Sequence, residues 1–427
     1  MQSLVAEFGN RFTFERLRTK PNIAVVGGGP AGLRAAEVAA ESGAEVTVYD
    51  VKRSVGRKFL VAGRSGLNLT NGEDFDAFLS RYQETDFPED LWRTILSNFD
   101  NQALRDWAAG LGIETFVANS GKVFPVPVNG KIKAAPLLRR WIERLRKLGI
   151  RFQIGHRWIG LDEDQRIRFQ IGDTVVSPRH DAVILALGGA SWPQTGSDGR
   201  WTSILENAGV EIAPLTAANC GWEVDWPPLL LEAAEGLPLK NLELTTGNIS
   251  RRGELVITRY GLEGGPIYHL GPILRSMTSP EVMIDLKPDL SVEDLTERLG
   301  GVKRNFVREA RRRLKLDPAA AELLKHLPDR GPWKSADQLA NEIKGCRIHL
   351  TKPRPVAEAI SSAGGIRWSE FDDHLMLKKL PGIFVAGEMI DWEAPTGGYL
   401  MQGCFATGTH AGEAALKWTD PDRASNR

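Results

Sequence analysis

Three glycines and one carboxylate near the start of the chain are spaced to bind a dinucleotide. Gly27, Gly29 and Gly32 fit the pattern G-x-G-x-x-G, and Asp50 follows them at the end of an apolar run. In this pattern the first glycine makes a tight turn, the second lets the backbone approach a pyrophosphate, and the third lets a helix pack against a strand. Asp50 can then accept hydrogen bonds from the hydroxyls of an adenosine ribose.

The elements predicted around these residues are those that would position them. Residues 23–26 form a short β-branched run typical of a buried parallel strand. Pro30 and Ala31 lie within the glycine motif, which is followed by a helix predicted over residues 33–42 whose free N–H groups favour an anion. A second strand is predicted at residues 45–49. In this context the motif is a strong sign of a dinucleotide site, but it does not separate FAD from NAD.

A second glycine-rich block near the C-terminus favours FAD. Residues 382–388 read as a strand that ends in Gly387 and Glu388, and residues 396–400 lead into a helix predicted at 401–417. The acid can bind ribityl hydroxyls or reach a water on the pyrophosphate. The helix N-terminus can stabilise negative charge on a reduced flavin ring. The predicted cofactor is therefore FAD.

The remaining candidate cofactor ligands come from three other segments. Residues 56–71 are dense in glycine, cations and small polar groups, and are predicted to be an extended loop that wraps the dinucleotide. The predicted strand at 183–187 is followed by paired glycines, which let backbone lie against a cofactor. Trp158 could touch the adenine or be a plain strand residue. The predicted cofactor-binding residues are Gly27, Gly29, Pro30, Ala31, Gly32, Asp50, Arg57, Lys58, Gly63, Asn68, Thr70, Trp158, Gly188, Gly189, Gly387, Glu388, Gly397, Gly398, Tyr399 and Leu400.

Composition narrows the class of protein. A chain of 427 residues is too long for one compact core, so two or three domains are expected. Its 54 basic residues equal its 54 acidic residues, which argues against an electrostatic nucleic-acid binder. Cys220, Cys346 and Cys404 are far apart, which disfavours a dithiol reductase. Scattered histidines predict no metal site, and the lack of a signal peptide or a spanning apolar segment predicts a cytoplasmic protein.

The chain reads as a dinucleotide domain interrupted by an insert. Alternating strand-like runs and then helical runs separate the turn-rich residues 191–199 from the strand at 382–388. The insert should enter near 196–199 and leave near 352–355, at two points close together in space. The predicted boundaries are 21–195 for the first part of the FAD-binding domain, 196–290 for a β-rich insert, 291–350 for a small helical insert and 351–420 for the second part of the FAD-binding domain.

Shorter patterns fill the first part of the host domain. Residues 75–111 have helical periodicity, 117–124 look like a hairpin, and 136–148 form an amphipathic helix. Residues 151–154, 156–161 and 166–176 are predicted as three strands of a β-meander that branches off the main sheet.

Taken in order, these blocks resemble a bacterial family of NAD(P)/FAD-dependent oxidoreductases, to which aminoacetone oxidase and a flavin-dependent bile-acid (dehydro-steroid) reductase are similar. The matching blocks are 27–32, 56–71, 121–125, 186–199, 361–366 and 387–408. The resemblance covers roughly residues 21–420. It implies an α/β fold in which a Rossmann-type FAD-binding domain carries an inserted β-rich, barrel-like domain and a small helical domain.

Two departures from the family pattern place the chain in a divergent subgroup. Residues 65–68 read Ser-Gly-Leu-Asn where the family has Gly-Arg-Cys-Asn, so any role of that Arg and Cys cannot be carried over. Residues 400–402 read Leu-Met-Gln where the family has Asn-Leu-Gln.

Two functions stay open at this point. The first is an FAD-dependent oxidoreductase that carries out a two-electron oxidation or reduction of a small organic substrate at the flavin ring. Electrons would come from that substrate or from NAD(P)H visiting the flavin, with the insert as a lid and neither nucleic acid nor membrane as a partner. The second is a non-catalytic or regulatory FAD-binding protein, RNA-associated in one version. The acid–base candidates, chosen by side-chain type alone, are Tyr260, His269, His349 and Tyr399.

Overall fold

Short apolar runs form the strands of this chain, and the computed structural model describes residues 20–63, 66–82, 87–327 and 333–420. The strands are β1 (Asn22–Val26), β2 (Glu45–Asp50), β3 (Thr70–Asn71), β4 (Thr115–Val117), β5 (Lys122–Pro125), β6 (Arg151–Ile154), β7 (Arg157–Leu161), β8 (Ile167–Ile171), β9 (Thr174–Val176), β10 (Ala182–Leu185), β11 (Ile212–Ala218), β12 (Trp222–Glu223), β13 (Pro238–Thr246), β14 (Ile249–Thr258), β15 (Gly261–Glu263), β16 (Glu281–Asp285), β17 (Cys346–His349), β18 (Ser361–Ile366) and β19 (Ile383–Val385). The helices are α1 (Pro30–Glu41), α2 (Arg57–Ala62), α3 (Phe75–Leu79), α4 (Glu89–Asn98), α5 (Asn101–Gly110), α6 (Ala134–Lys147), α7 (Trp201–Asn207), α8 (Pro228–Ala234), α9 (Gly265–Ser276), α10 (Val292–Arg298), α11 (Phe306–Leu314), α12 (Pro318–His326), α13 (Ala336–Lys344) and α14 (Tyr399–Trp418).

A five-stranded parallel sheet organises the host domain, with the strand order β19-β10-β1-β2-β6. Every residue of β10 and β19 is buried, as expected for strands covered on both faces. The chain runs outward from β1 through β2 to β6 and then crosses back to β10 on the other side of β1, so the strand order reverses at β1. Ligands of such sheets bind beyond the carboxyl ends of the strands at this kind of reversal. The sheet confirms the predicted Rossmann-type α/β fold.

Helices α1 and α14 pack closely on one face of the sheet because small residues line their contact. A Cβ added at Gly408 would lie 2.4 Å from the Ala31 carbonyl oxygen, and one added at Gly412 would lie 2.7 Å from that of Ala35. The middle of α14 is thereby fixed beside the helix that follows the glycine motif. The first and last blocks of the chain therefore lie side by side.

The insert has a hydrophobic core of its own, formed by buried residues between Trp222 and Leu350. Its six-stranded antiparallel sheet has the order β12-β15-β14-β13-β16-β17. Glu223 N–H donates to the Lys352 carbonyl at 2.8 Å, and Thr351 N–H donates to the Glu223 carbonyl at 2.9 Å. These bonds join the two edges of the sheet just beyond β17, which makes the sheet barrel-like.

Core packing favours a later start of the insert than residue 196. Trp201 and Leu205 of α7 are buried in the core of the host domain. The chain then runs through β11, which pairs with the returning strand β18 as an antiparallel ribbon. Ile360 N–H donates to the Asn219 carbonyl at 3.3 Å. We therefore propose that the insert enters near residue 219, next to the segment by which it leaves.

Three local predictions differ from the structure. Residues 57–62 form α2 inside the segment that was expected to be an extended loop; its apolar Phe59 is buried in the core and holds the turn in place. Strand β6 pairs with β2 in the parallel sheet, so the meander consists of β7, β8 and β9. The run at 166–176 divides at Gly172, which has a φ of +56°. In the described ranges, helices that could cross a membrane are absent.

Candidate functional site

The glycine turn after β1 leaves its backbone open where a ligand would lie. A Cβ at Gly27, whose φ is +112°, would lie 2.1 Å from the Ala186 carbonyl oxygen, and one at Gly32 would lie 1.9 Å from the Gly27 carbonyl oxygen. A Cβ at Gly29 would meet no atom of the described chain within 4 Å. Two of the three glycines are therefore required by the protein itself. Only Gly29 borders open space, as a close approach to a pyrophosphate requires.

Asp50 supports this turn from the end of β2. Its carboxylate accepts hydrogen bonds from the backbone N–H of Gly28 at 2.9 Å and of Lys52 at 2.7 Å. Burial raises the pKa of Asp50, although these two hydrogen bonds oppose the rise. The side chain therefore holds the glycine loop in shape while it lines the same cavity.

A cleft at the carboxyl ends of β1, β2, β10 and β19 brings together about half of the predicted ligands. The predicted residues that line it are Gly27, Gly29, Pro30, Ala31, Asp50, Arg57, Lys58, Trp158, Gly188, Gly387 and Glu388. We call it the dinucleotide cleft. Sequence reasoning missed His156, which also lines the cleft and whose ring centroid lies 5.4 Å from that of Tyr49. Because side chains alternate along a strand, His156 shares a face with Trp158, and this spacing was the available signal.

Lys58 and Glu388 lie together in this cleft. The Lys58 ammonium donates to Glu388 Oε2 at 2.7 Å and to Ser191 Oγ at 2.7 Å. The sequence assigned Lys58 to the phosphates and Glu388 either to the ribityl hydroxyls or to a water on the pyrophosphate. Their ion pair places both side chains at one point on the cleft wall.

A second group of predicted residues gathers at the N-terminus of α14. Gly398 precedes the helix with a φ of +102°, and a Cβ there would lie 2.4 Å from the Thr70 carbonyl carbon. Asn71 Nδ2 donates to the Gly397 carbonyl at 3.4 Å. The close backbone contact joins the loop after α2 to the helix that was predicted to face the flavin ring.

Two predicted glycines and one predicted side chain pack against other parts of the protein. A Cβ at Gly63 would lie 2.4 Å from that of Ala134, and one at Gly189 would lie 2.4 Å from Ser362 Oγ. Leu400 packs against the hydrophobic core of the host domain. None of these three lines the dinucleotide cleft as described.

Three buried polar atoms in the two groups have no hydrogen-bond partner within the described part of the chain: Asn68 Oδ1, Thr70 Oγ1 and Trp158 Nε1. Leaving such an atom unpaired costs about 1–3 kcal/mol, so a native structure normally supplies a partner. All three belong to residues predicted from the sequence as cofactor ligands. Two lie on the loop that reaches the N-terminus of α14, and one lies in the dinucleotide cleft. With the open space at Gly29, they fit a dinucleotide that carries a flavin.

A chain of hydrogen bonds leaves the α14 end of this site. Tyr399 OH donates to Glu73 Oε1 at 2.5 Å, and Arg81 holds the same carboxylate with bonds of 3.0 and 2.8 Å. The Tyr399 backbone carbonyl accepts from Tyr82 OH at 2.7 Å. Burial and the hydrogen bond to Glu73 raise the pKa of Tyr399, so its phenol keeps the proton at neutral pH. The chain ends at Arg81.

Arg81 also lines a cavity of about 800 Å³ between the host domain and the insert. We call it the interdomain cavity. The host side contributes Ser80, Arg81, Asn219, Glu393, Ala394 and Pro395, and the insert contributes Ile249, Arg251, Tyr268, His269, Pro272, Ile273, Arg275 and Ser276. The sequence predicts that the insert forms a lid over the flavin, but it does not predict most of the residues that line this cavity, because they come from segments far apart in the chain.

Of the acid–base candidates, only His269 lines the interdomain cavity. Burial, with the nearby positive charges of Arg251 and Arg81, lowers the pKa of His269 to about 4. Tyr260 lies outside both clefts as described and donates its OH to Glu263. The His349 side chain is 84% exposed and pairs with Glu281 on the insert. Tyr260 and His349 are therefore not placed at the site.

Comparison with known proteins identifies the group to which this arrangement is similar. The family described as HI0933-like protein Rossmann domain matches residues 21–414. The 3-dehydro-bile acid delta(4,6)-reductase of Clostridium scindens is 27% identical over 417 residues, which cover 92% of this chain and 99% of that protein. The ribosomal RNA dihydrouridine synthase of Escherichia coli is 21% identical over 393 residues, covering 90% and 95%.

A solved structure shares the fold. The 3-ketosteroid-delta4-(5alpha)-dehydrogenase from Rhodococcus jostii RHA1, in complex with 4-androstene-3,17-dione, matches with a TM-score of 0.52 at 18% identity, covering 95% of this chain and 98% of that one. The family match confirms the resemblance seen in the sequence, and FAD as the cofactor.

Proposed function

We propose that this chain, which belongs to the HI0933-like Rossmann family, is an FAD-dependent oxidoreductase whose small organic substrate binds in the interdomain cavity. The observation that carries this proposal is the contact between that cavity and the α14 end of the cofactor site. Arg81 lines the cavity, and Glu73 connects Arg81 to Tyr399 at the first turn of α14. A pocket of this size between two domains is typical of a substrate site, and its lining is mostly polar or charged, with an apolar patch at Ile249, Pro272 and Ile273.

Each part of the cofactor would have its own ligands in this chain. Asp50 would bind the ribose, and Gly29 with the N-terminus of α1 would bind the pyrophosphate. Asn68 and Thr70 would satisfy their unpaired oxygens on the flavin portion. Bound FAD would supply the two-electron chemistry.

The chain's own residues would then orient the substrate and hold protons. Ile249, Pro272 and Ile273 would give a bound substrate an apolar patch to pack against on the insert side of the cavity. His269, neutral at pH 7, can accept or donate one hydrogen bond. Tyr399 keeps its proton on the phenol oxygen, directed at Glu73.

Anaerobic reduction of the purified protein tests this proposal. NADH, NADPH and saturated 3-ketosteroids would be mixed with the oxidised protein as electron donors while the flavin absorbance is followed. Unsaturated 3-dehydro-bile acids, which the name of one relative suggests, would be mixed with the reduced protein as electron acceptors that reoxidise the flavin. Ile273→Trp should narrow the interdomain cavity, raise KM at least tenfold and leave the FAD content unchanged. Leu229→Trp is the matched control, because Leu229 is 62% exposed on the insert and does not line the cavity. Equal KM values in the two variants would contradict a substrate site in this cavity.

A second candidate function is redox modification of RNA. Besides the relatives named as ribosomal RNA dihydrouridine synthases, α11 favours it, since Arg308, Arg311, Arg312 and Arg313 are all exposed there. A basic helix of this kind can contact phosphates. Filter binding to ribosomal RNA at several salt concentrations would separate the two functions. Binding that is lost when Arg308 and Arg311 become Gln, together with no reduction by small substrates, would favour RNA.

A further inference from the structure

Three arginines line the interdomain cavity, and two of them form ion pairs with carboxylates. Arg81 is held by both oxygens of Glu73, and Arg275 forms an ion pair with Glu393. Arg251 has no carboxylate within ion-pair distance among the described residues; its Nη1 donates to the Ser250 carbonyl at 2.9 Å. The described wall of the cavity therefore carries one positive charge in excess, at Arg251.

The surroundings of Arg251 combine this charge with apolar surface. Ile249 precedes it by two residues on β14, and the side chains of alternate residues share one face of a strand. His269, on α9, lines the same cavity and is close enough to Arg251 for the two to interact electrostatically. A neutral imidazole beside a guanidinium offers an additional N–H donor without a further charge.

We infer that the interdomain cavity binds a small amphipathic organic oxyanion, whose carboxylate or phosphate pairs with Arg251 and whose apolar body lies along Ile249, Pro272 and Ile273. This inference rests on the proposed function, because it takes the cavity to be the substrate site. Guanidinium groups favour carboxylate and phosphate because their parallel N–H donors match two oxygens. A cavity set between two domains fits a small molecule better than an RNA strand, whose phosphates would extend along an open surface.

Calorimetric titration of the FAD-loaded protein tests the inference without turnover. The probes are deoxycholate and its uncharged primary amide, which share one rigid apolar body, together with inorganic phosphate and NADPH as sources of phosphate. Arg251→Gln removes the excess charge. Arg252→Gln is the matched control, because Arg252 is the next residue on β14 and pairs with Glu243 and Asp289.

We expect an oxyanion probe to bind the parent at least tenfold more tightly than an uncharged analogue, a difference of about 1.4 kcal/mol. Arg251→Gln should abolish that preference, and Arg252→Gln should retain it. A preference for deoxycholate over its amide would identify a carboxylate, and Arg251-dependent binding of phosphate or NADPH would identify a phosphate.

Three results would overturn the inference: equal affinities for acid and amide with no phosphate binding, a preference that survives in Arg251→Gln, or Arg251-dependent binding of an rRNA hairpin alone. Failure of the proposed function looks different. In that case the oxyanion would bind through Arg251, yet no substrate carrying one would reduce or reoxidise the flavin.

Discussion

Gly29 offers a direct test of the cofactor site, because the protein itself leaves room for a side chain there. Gly29→Ala adds a methyl group at a position with a φ of −83°, which alanine adopts without strain. Among the described residues, no atom would lie within 4 Å of the new Cβ. The added methyl would instead occupy the space through which a pyrophosphate approaches the N-terminus of α1.

We therefore expect Gly29→Ala to have a small effect on folding and a large effect on FAD binding. Alanine at a helix N-cap costs up to about 1 kcal/mol relative to glycine, and the lower entropy of the unfolded chain returns about 0.4–1 kcal/mol. The melting temperature of the apoprotein should thus change by no more than about 4 °C. Displacing even one charge-assisted hydrogen bond costs roughly 1.5–3 kcal/mol, so the Kd for FAD should rise at least about tenfold.

Gly32→Ala is the matched control. Its Cβ would lie 1.9 Å from the Gly27 carbonyl oxygen, so the glycine turn must move and the apoprotein itself should be destabilised. Both apoproteins would be melted with circular dichroism as the signal, and both titrated with FAD by fluorescence. If Gly29→Ala retains the parent's Kd, or if its apoprotein melts as early as that of Gly32→Ala, the placement of the pyrophosphate at Gly29 is wrong.

Three further predictions follow from individual side chains. Asp50→Ala should lower FAD retention about tenfold or more, whereas Asp391→Ala, outside the dinucleotide cleft, should lower it much less; equal FAD content in the Asp50 variant and the parent would refute the ribose assignment. Glu37 is fully buried, pairs with Arg34 and Arg144 and accepts bonds from two tryptophans, so Glu37→Gln should reduce the free energy of urea unfolding by about 3–5 kcal/mol, and a loss below 1 kcal/mol would contradict this. Burial alone would raise the pKa of Glu73, but its hydrogen bonds from Arg81 and Tyr399 lower it on balance. Ionised Glu73 therefore stabilises the fold above about pH 4.5, and this contribution is lost as the pH falls through the lowered pKa. The difference in unfolding free energy between the parent and Glu73→Gln should therefore shrink in acid. A difference that is independent of pH would argue against the ion pair.

The parts of the site that the sequence predicted well depend on neighbours close in the chain. Gly32 lies against the Gly27 carbonyl, and the Asp50 carboxylate accepts a hydrogen bond from the Gly28 N–H. A single βαβ unit therefore contains all of these residues. The strand, turn and helix that position these residues each have a local signature in composition and spacing. Reading that unit alone was enough to predict a dinucleotide site.

The parts that the sequence did not predict depend on contacts between distant segments. Gly63 lies in the same glycine-rich segment as Asn68, yet it packs on Ala134, and only the fold of α2 against α6 reveals this. Strand β6 has the same short, mixed composition as the meander strands after it, and pairing with β2 decides its sheet. The residues that line the interdomain cavity have no local signal either, since Arg81 and Arg251 reach it from segments far apart in the chain.

The junction between the domains shows how packing bears on a boundary predicted from turn-forming residues. Residues 191–199 have the composition of a break, whereas the burial of Trp201 and Leu205 in the host core supports our proposal that the insert begins near Asn219. The Asn219 side chain is buried and donates to Ser361 Oγ at 2.8 Å and to the Ala394 carbonyl at 2.9 Å. Ala394 and Asn219 both line the interdomain cavity. The residue near which we propose that the insert begins therefore also forms part of one wall of the cavity, so a change at Asn219 should alter both the junction between the domains and the shape of the proposed substrate site.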